Sequence, residues 1–345
     1  MQVYADNAAT TKMSKHAIEA MLPYFDGIYG NPSSLHTVGQ EAKEVLEDAR
    51  ERVAKCLGCE AREILFTSGG SEADNQAIIS AARYGARKGK KHIISTAFEH
   101  HAVLHTLNKL EKEGFEITLL DVSQGHNVTA QQVKAAIRED TCLVTTMYAN
   151  NEIGSVLPIS EIGAVCKEAG VVFHTDAVQA AGHLHINVKE QNIDMLSLSG
   201  HKFHGPKGVG ALYCRRGIPL VNVIEGGAQE RGKRAGTENI AGICSMAAAM
   251  NGAAVGKLIE SGNVPEHLKK YGSTVQEIFA DLPDLRALYG TQADSFSPGA
   301  IGVFSYLRKI AFGIQHFAAL NRKFDISLLD KSDLIPLTQS AKELL

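Results

Sequence analysis

The sequence predicts an α/β fold in which helices cover both faces of a mostly parallel sheet of seven strands. Two observations lead to this prediction. Short apolar segments alternate with capped amphipathic segments from about residue 63 to residue 214, and the apolar segments read as buried strands. Ligands of such sheets bind beyond the carboxyl ends of the strands. Those ends are therefore the place to search for a functional site.

Two helices are expected before the first strand. Ser14 is the predicted N-cap of the first helix, which carries Ile18, Met21, Leu22 and Phe25 at helical spacing. A turn-rich loop at 27–34 precedes a long amphipathic helix over about 36–57. The apolar stripe of this second helix is formed by Val38, Ala42, Val45, Ala49, Val53 and Cys56.

The alternating region predicts strands at 63–67, 92–96, 116–121, 142–148, 171–175, 193–198 and 209–214. Helices are predicted between them at 71–85, 101–113, 129–138 and 160–169. Ser71 and Thr129 each begin a capping pattern and are the predicted N-caps of their helices.

The alternation stops after about residue 254. A helix is predicted at 264–280, a break at 281–284 and a further helical stripe within 304–317. We therefore expect a large domain over residues 14–255 and a smaller domain formed by residues 1–13 together with 256–345, of which 296–345 is atypical.

The amino-acid composition limits the classes of partner and the cellular location that can be expected. The 345 residues include 35 Lys and Arg against 38 Asp and Glu, a net charge of −3, which gives no reason to expect nucleic acid or a membrane as the main partner. The N-terminal residues lack the basic and apolar regions of a signal peptide. Six cysteines without a regular spacing fit reduced thiols. A cytoplasmic location is the resulting expectation.

Three strand ends carry residues of chemical interest. Gly69 and Gly70 stand between a strand and a helix, where free N–H groups could hold a phosphate, although many such turns only close a connection. Asp176 follows a buried run and could keep a pyridine ring protonated, or simply cap the next helix. Lys202 stands at the mouth of another buried run, where desolvation makes an amine nucleophilic; the alternative is a surface lysine.

Other motifs carry less weight. His101 and His105 could share a metal but lack a third ligand, and Cys56 and Cys59 have no second pair, so we expect no metal site. The glycine-rich loop at 226–237 holds three cations that could meet a phosphate or carboxylate, or only solvent.

Seven motifs, taken together, resemble those of the cysteine desulfurases, which belong to the class V aminotransferase group of fold-type I pyridoxal-phosphate enzymes. The motifs are Tyr4-Ala5-Asp6-Asn7-Ala8-Ala9-Thr10-Thr11, Gly30-Asn31-Pro32-Ser33-Ser34-Leu35-His36, Phe66-Thr67-Ser68-Gly69-Gly70-Ser71-Glu72-Ala73-Asp74-Asn75, Glu99-His100-His101-Ala102-Val103, Asn150-Asn151-Glu152-Ile153-Gly154, His174-Thr175-Asp176-Ala177-Val178-Gln179 and Ser199-Gly200-His201-Lys202-Phe203-His204-Gly205-Pro206-Lys207-Gly208. The last motif is similar to that of members serving iron–sulfur cluster assembly. The resemblance covers about the first three-quarters of the chain and implies a smaller α+β domain.

The resemblance also implies roles. Lys202 would form a Schiff base with pyridoxal 5'-phosphate and move protons, and His100 would stack on the ring. Asp176 would pair with the ring nitrogen and Gln179 with the ring hydroxyl. The remaining cofactor contacts would be Gly70, Ser71, Asn151, Ser199, His201 and, from the second subunit of a homodimer, Thr237. The implied reaction converts L-cysteine, or a related amino acid, to alanine and passes sulfur to a scaffold protein.

The sequence departs from the family from about Phe296. The family has a Ser-Ser-Gly-Ser-Ala-Cys-type loop that takes the sulfur and a Ser-Leu-Gly-Arg-type motif that holds the substrate carboxylate. This sequence contains neither, and its last cysteine is Cys244. We therefore expect impaired sulfur transfer. Two other functions stay open: a pyridoxal-phosphate lyase or aminotransferase that needs no loop cysteine, and a non-catalytic binding protein.

Overall fold

The protein is described from a computed structural model. The structure describes Tyr4, residues 6–122 and residues 127–252. The chain divides into two units, Met1–Ala254 and Val255–Leu345, and the described residues all belong to the first. Of the predicted smaller domain, residues 256–345 lie outside the described residues, and with them the helix at 264–280, the stripe at 304–317 and the atypical tail. Tyr4 and residues 6–13 are described and belong to the first unit. The predicted division into domains stays a prediction.

The sheet has seven strands in the described part of the chain: β1 (Ile64–Thr67), β2 (His92–Thr96), β3 (Glu116–Leu120), β4 (Thr141–Met147), β5 (Val172–Asp176), β6 (Met195–Ser199) and β7 (Gly210–Cys214). Their order across the sheet is β1-β7-β6-β5-β4-β2-β3. Only β7 runs antiparallel to its neighbours in this sheet, β1 and β6. The predicted mostly parallel sheet of seven strands is confirmed.

The described helices are α1 (Lys15–Glu19), α2 (Pro23–Asp26), α3 (Thr37–Leu57), α4 (Gly70–Ala86), α5 (His101–Lys112), α6 (Ala130–Ala136), α7 (Ile159–Ala169), α8 (Gln229–Gly232) and α9 (Ile240–Gly252). They pack on both faces of the sheet. Ile94 and Phe173 belong to the core shared with α3, α7 and α9, whereas Ile93 and Met195 belong to the core under α4 and α5. Adjacent strand residues therefore point to opposite cores, as the pleat requires.

Two predicted elements differ in the structure. The single helix expected after Ser14 is divided into α1 and α2. Pro23 explains the division, because a proline inside a helix removes a backbone donor and clashes with the preceding turn, whereas it fits the first position of a new helix. Ser14 does cap α1, with its Oγ 3.1 Å from the Ala17 N–H.

The predicted cap at Ser71 is wrong. Helix α4 already begins at Gly70, and Gly69 occupies the N-cap position without any side-chain cap. The other predicted cap is confirmed, because Thr129 and Gln132 form a reciprocal capping box at the start of α6.

Helix α9 was not predicted from the sequence. It is apolar on nearly every side, so it lacks the amphipathic period that identifies a surface helix. Ile243, Met246 and Ala247 are buried, and Ser245 Oγ donates to the Ala17 carbonyl at 2.7 Å. Among the described residues, no helix combines the length and apolarity needed to cross a membrane.

Candidate active site

Five strands present chemically useful residues at one edge of the sheet. Strands β1, β2, β4, β5 and β6 run in the same direction, because β7 is antiparallel to both β1 and β6. Their carboxyl ends therefore meet at the same edge. The residues at or just beyond these ends are Ser68, Gly69, Gly70, Ser71, Glu99, His100, Asn151, Asp176, Ser199, His201 and Lys202.

The turn between β1 and α4 can hold an anion. The first hydrogen bond of α4 runs from the Ala73 N–H to the Gly69 carbonyl at 3.2 Å, so the N–H groups of Gly70 and Ser71 have no partner within the helix. A Cβ at Gly70 would lie 2.5 Å from Val178 Cγ2 and 3.7 Å from Ser199 Cβ. Glycine at this position therefore lets the backbone lie close beside Ser199, and the missing side-chain cap leaves the helix end available to a phosphate.

Asp176 is a buried carboxylate at the end of β5. Only 5% of the residue is exposed, and its Oδ1 accepts a hydrogen bond from the Val178 N–H at 2.9 Å. Burial raises the pKa of Asp176, while the positive charges of His100 and Lys202 act in the opposite direction. The segment after Asp176 forms turns rather than a helix, so the alternative prediction of a helix cap is wrong.

Lys202 lies partly buried beside this carboxylate, in a short 3-10 turn, Gly200–Lys202, after β6. Its Nζ donates to the Ala8 carbonyl at 2.5 Å. Burial lowers the pKa of Lys202, although Asp176, Asp6 and Glu152 oppose the shift. The environment therefore favours the free amine more than bulk water does, and the alternative of an ordinary surface lysine does not describe it.

A segment near the N-terminus forms one wall of the site. Thr11 donates from its N–H and its Oγ1 to the His201 carbonyl, at 2.9 and 2.7 Å, and its Oγ1 accepts from the His204 N–H at 2.8 Å. Thr10 Oγ1 lies 3.0 Å from His201 Nδ1. Gln179 Nε2 donates to the Ala8 carbonyl at 2.8 Å. Sequence reasoning assigned no role to these threonines, and only their place in the first motif indicated one.

His100 and Asn151 border the same edge on other strand ends. His100 is the N-cap of α5, and its Nδ1 accepts from the Ala102 N–H at 3.1 Å. Asn151 donates to Glu152 Oε1 at 2.6 Å. The turn that carries Asn151 is held by Asn150, whose Oδ1 accepts from two backbone N–H groups and whose Nδ2 donates to the Phe98 carbonyl.

The loop at 226–237 is attached to the anion-binding turn. Arg234 donates from Nε and Nη2 to the two carboxylate oxygens of Glu72, at 2.9 and 3.2 Å, and Glu72 Oε2 accepts from the Ser68 N–H at 2.9 Å. Arg231 donates to the Ile64 carbonyl at 2.6 Å. Two of the three loop cations thus bind groups of this chain. Thr237 is exposed on the same loop, and its predicted contact with a second subunit stays a prediction.

The motifs of lesser weight lie outside this constellation. The rings of His101 and His105 are 5.3 Å apart, and no third metal ligand joins them within the described residues.

A cavity of about 430 Å³ opens at the opposite edge of the sheet, among residues that include Lys167, Asp194 and Arg215. None of the predicted site residues lines that cavity.

Comparison with known proteins identifies relatives of the chain. The family model "Aminotransferase class-V" matches residues 3–304. A cysteine desulfurase IscS of Clostridium botulinum is 50% identical over 291 residues, covering 83% of this chain and 71% of that protein. A solved NifS-like protein has a TM-score of 0.71 at 37% identity, covering 84% of this chain and 86% of its own. The solved structure of SspA in complex with cysteine has a TM-score of 0.70 at 43% identity and covers 72% of each chain.

Proposed function

Because the chain belongs to the class V aminotransferase family and, within it, to the cysteine desulfurases, we propose that it is a pyridoxal-phosphate-dependent enzyme that converts L-cysteine to alanine and supplies sulfur for iron–sulfur cluster assembly. One observation carries the proposal beyond the family name. A partly buried lysine, a buried carboxylate and an uncapped helix end meet at one edge of the sheet.

The site residues fit pyridoxal phosphate. The free N–H groups at Gly70 and Ser71, with Ser199 beside them and His201 nearby, would hold the phosphate. Asp176 is a buried acid whose charge needs a cationic partner, which a protonated ring nitrogen supplies. Gln179 would bind the ring hydroxyl, His100 would stack on the ring, and Asn151 would border cofactor and substrate. Thr237 would reach the phosphate from the second subunit of a homodimer.

The chemistry divides between cofactor and protein. Bound pyridoxal phosphate supplies an electron sink for the α-carbon of an amino acid. Lys202 provides the nucleophilic amine, and its Nζ can take a proton from the substrate α-carbon and return one. The imidazole of His100 can hold a proton at the opening of the site. A negative charge on Asp176, buried at the end of β5, would favour a proton on the ring nitrogen.

The sulfur acceptor is the part of the proposal that this chain does not supply at the site. All six cysteines of the sequence lie within the described residues, and none of them forms a disulfide bond. Burial raises the pKa of Cys142, Cys166 and Cys214 to about 12 each. We propose that an external thiol R–SH, for example on a scaffold protein, takes the sulfur, so that cysteine and R–SH give alanine and the persulfide R–S–SH. Cytoplasmic thiols fit this role.

A second candidate function follows from the same observation. A pyridoxal-phosphate lyase or aminotransferase acting on a related amino acid would need no acceptor cysteine in its own chain. The two candidates differ in product. A desulfurase yields alanine and persulfide sulfur in equal amounts from L-cysteine, whereas a transaminase yields a keto acid.

The test begins with the lysine. The purified protein is incubated with pyridoxal phosphate, reduced with borohydride and digested, and the modified residue is located by mass spectrometry. We expect the label on Lys202 and its loss in Lys202→Ala. The control is Lys207→Ala, which changes an exposed lysine five positions further along the chain and should leave the label in place. Labelling spread over surface lysines, or no labelling, would contradict the proposal.

The reaction is then assayed with L-cysteine and an added thiol. We expect alanine and reducible sulfur in a 1:1 ratio, with a rate that depends on the thiol concentration. A keto acid formed in place of alanine would favour the transaminase. Labelling at Lys202 without any amino-acid turnover would favour the non-catalytic binding protein.

A further inference from the structure

A chain of buried polar side chains lies beneath Asp176, on the face of the sheet that α4 covers. Thr145 Oγ1 is 2.8 Å from His174 Nδ1, and Ser197 Oγ is 2.9 Å from His174 Nε2. The Ser197 hydroxyl also hydrogen-bonds the carboxyl group of Asp74 in α4. None of these four side chains has a part in the function proposed above.

The strand register connects this chain to Asp176. Ser197 on β6 is the direct neighbour of Asp176 on β5, and His174 stands two residues before Asp176, on the same face of β5. Burial raises the pKa of Asp74, and repulsion between the Asp74 and Asp176 carboxylates raises it further. Glu99, beyond β2, adds to the repulsion when it is ionised.

The carboxyl group of Asp74 is buried beside a neutral imidazole and lacks a compensating positive charge among the described residues. It is 1% exposed, and its Oδ1 has no hydrogen-bond partner in the described part of the chain. His174 Nε2 is 3.7 Å from that oxygen, but burial lowers the pKa of His174 to about 3, so the ring is neutral. A buried carboxylate without a cation is costly unless a positive charge comes close.

Hydrogen-bond roles follow from the neutral imidazole. A Ser197 hydroxyl that donates to the Asp74 carboxylate must accept from His174, so Nε2 carries the ring proton. His174 Nδ1 then accepts from the Thr145 hydroxyl. Every donor in the chain thus points towards Asp74, which holds that carboxyl in one orientation and prepares it to carry a negative charge once a cation comes close.

We propose that Asp74 is a positioning residue that acts through Asp176 on the ring nitrogen of the cofactor: these two buried carboxyl groups, the first held by Ser197 and His174, lack an ion-paired cation within the described residues, and a protonated ring nitrogen supplies it. The inference rests on the proposed function, because it needs pyridoxal phosphate at Asp176. A merely structural role for Asp74, as a satisfied buried polar group, is the alternative that the test must separate.

The test compares two ligands of the cofactor-free full chain: pyridoxal phosphate and its 1-deaza analogue, in which a C–H replaces the ring nitrogen. Dissociation constants are measured by absorbance titration. The wild type should prefer pyridoxal phosphate, and Asp176→Asn should lose that preference. Asp74→Asn should weaken pyridoxal phosphate binding about tenfold, the effect of one pKa unit at the ring nitrogen, and leave the affinity for the analogue unchanged.

Ser197→Ala provides a second variant in case Asp74→Asn does not fold, and should weaken pyridoxal phosphate binding in the same selective way but less. Its control is Ser95→Ala, which removes a buried hydroxyl that has no hydrogen-bond partner among the described residues and should change neither affinity.

Each outcome decides a different claim. An equal loss for both ligands in Asp74→Asn and Ser197→Ala would assign Asp74 a structural role only, and unchanged affinities would show that it carries no charge; either result overturns the inference. If Asp176→Asn retained the wild-type preference, or the wild type bound neither ligand, the proposed function itself would fail.

Discussion

Breaking the ion pair between Arg50 and Glu230 should destabilise the fold more than breaking any exposed ion pair of the described residues. Arg50 donates from Nη1 and Nη2 to the two Glu230 carboxylate oxygens, at 2.7 and 2.8 Å. The exposed fractions of the two side chains are 3% and 1%. Glu230 Oε2 also accepts from the Phe66 N–H at 3.0 Å. The pair therefore joins α3, β1 and the loop that carries Thr237.

The same pair holds an uncommon backbone in place. Glu230 and Arg231 adopt φ values of 49° and 61°, in the left-handed region that non-glycine residues visit rarely. Such conformations cost about 1–3 kcal/mol each and persist only where surrounding contacts impose them. Without the Glu230 carboxylate, the loop loses the contact that fixes this conformation.

Glu230→Gln keeps the shape of the side chain but leaves the Arg50 charge buried without a counter-charge. Removing one partner of a buried pair costs about 3–5 kcal/mol. Because glutamine retains one oxygen that can accept from Arg50, we expect the lower end, a loss of about 3 kcal/mol in the free energy of unfolding. The measurement is urea denaturation of the full chain, followed by circular dichroism.

A matched control is Glu168→Gln, which breaks an ion pair with Lys134 whose side chains are 55% and 71% exposed. It should cost less than about 0.5 kcal/mol. The double variant Arg50→Met/Glu230→Gln should be less destabilised than the sum of its single changes, because no unpaired charge remains. A Glu230→Gln protein within about 1 kcal/mol of the wild type would refute the reasoning.

Two further predictions concern the site. Gly70→Ala places a Cβ 2.5 Å from Val178 Cγ2 and should weaken pyridoxal phosphate binding at least about tenfold. The affinity for phosphate-free pyridoxal should stay unchanged. An equal loss of affinity for both ligands would argue against a phosphate at this turn. Burial raises the pKa of Glu99 from 4.5 to about 8. Between these pH values the folded state keeps a proton that the unfolded state releases. The contribution of this proton to the free energy of unfolding is therefore lost as the pH rises from 4.5 to about 8. Glu99→Gln should therefore flatten the decline of unfolding free energy between these pH values in urea titrations, and an unchanged slope would contradict the burial argument.

The elements of the sheet could be predicted because their signals are local. Each strand is a short apolar run, and the polar residues that follow it come to the correct edge once the strands are parallel. The places of Asp176 and Lys202 at this edge were predicted in this way. Helix α9 escaped prediction because an almost wholly apolar helix has no period, and the break between α1 and α2 required giving Pro23 more weight than the apolar spacing.

Pairings over long distances could not be predicted. Arg50 and Glu230 are 180 positions apart, and Thr11 meets His201 across 190 positions. The sequence around Arg50 offers one signal, an arginine beside Ala49 on the apolar stripe of α3, which is costly unless a buried acid meets it. Which acid that is depends on the tertiary fold. The hydrogen bonds that Thr11 and Gln179 make near Ala8 could not be predicted from residue types, because their acceptors are backbone carbonyls.

The position of the cysteines separates the two halves of the proposed reaction. Cys56 and Cys59 are the two cysteines of the chain that are not fully buried. They lie at the end of α3, where the Leu57 carbonyl accepts from the Val188 N–H at 3.0 Å, a segment that lines the cavity at the edge opposite Lys202. Sulfur released beside Lys202 would have to travel the length of the strands, from one edge of the sheet to the other, to reach them. Burial and hydrogen bonding in the sheet thus hold the groups that would handle the cofactor, while the proposed sulfur-accepting thiol would approach this edge from another molecule.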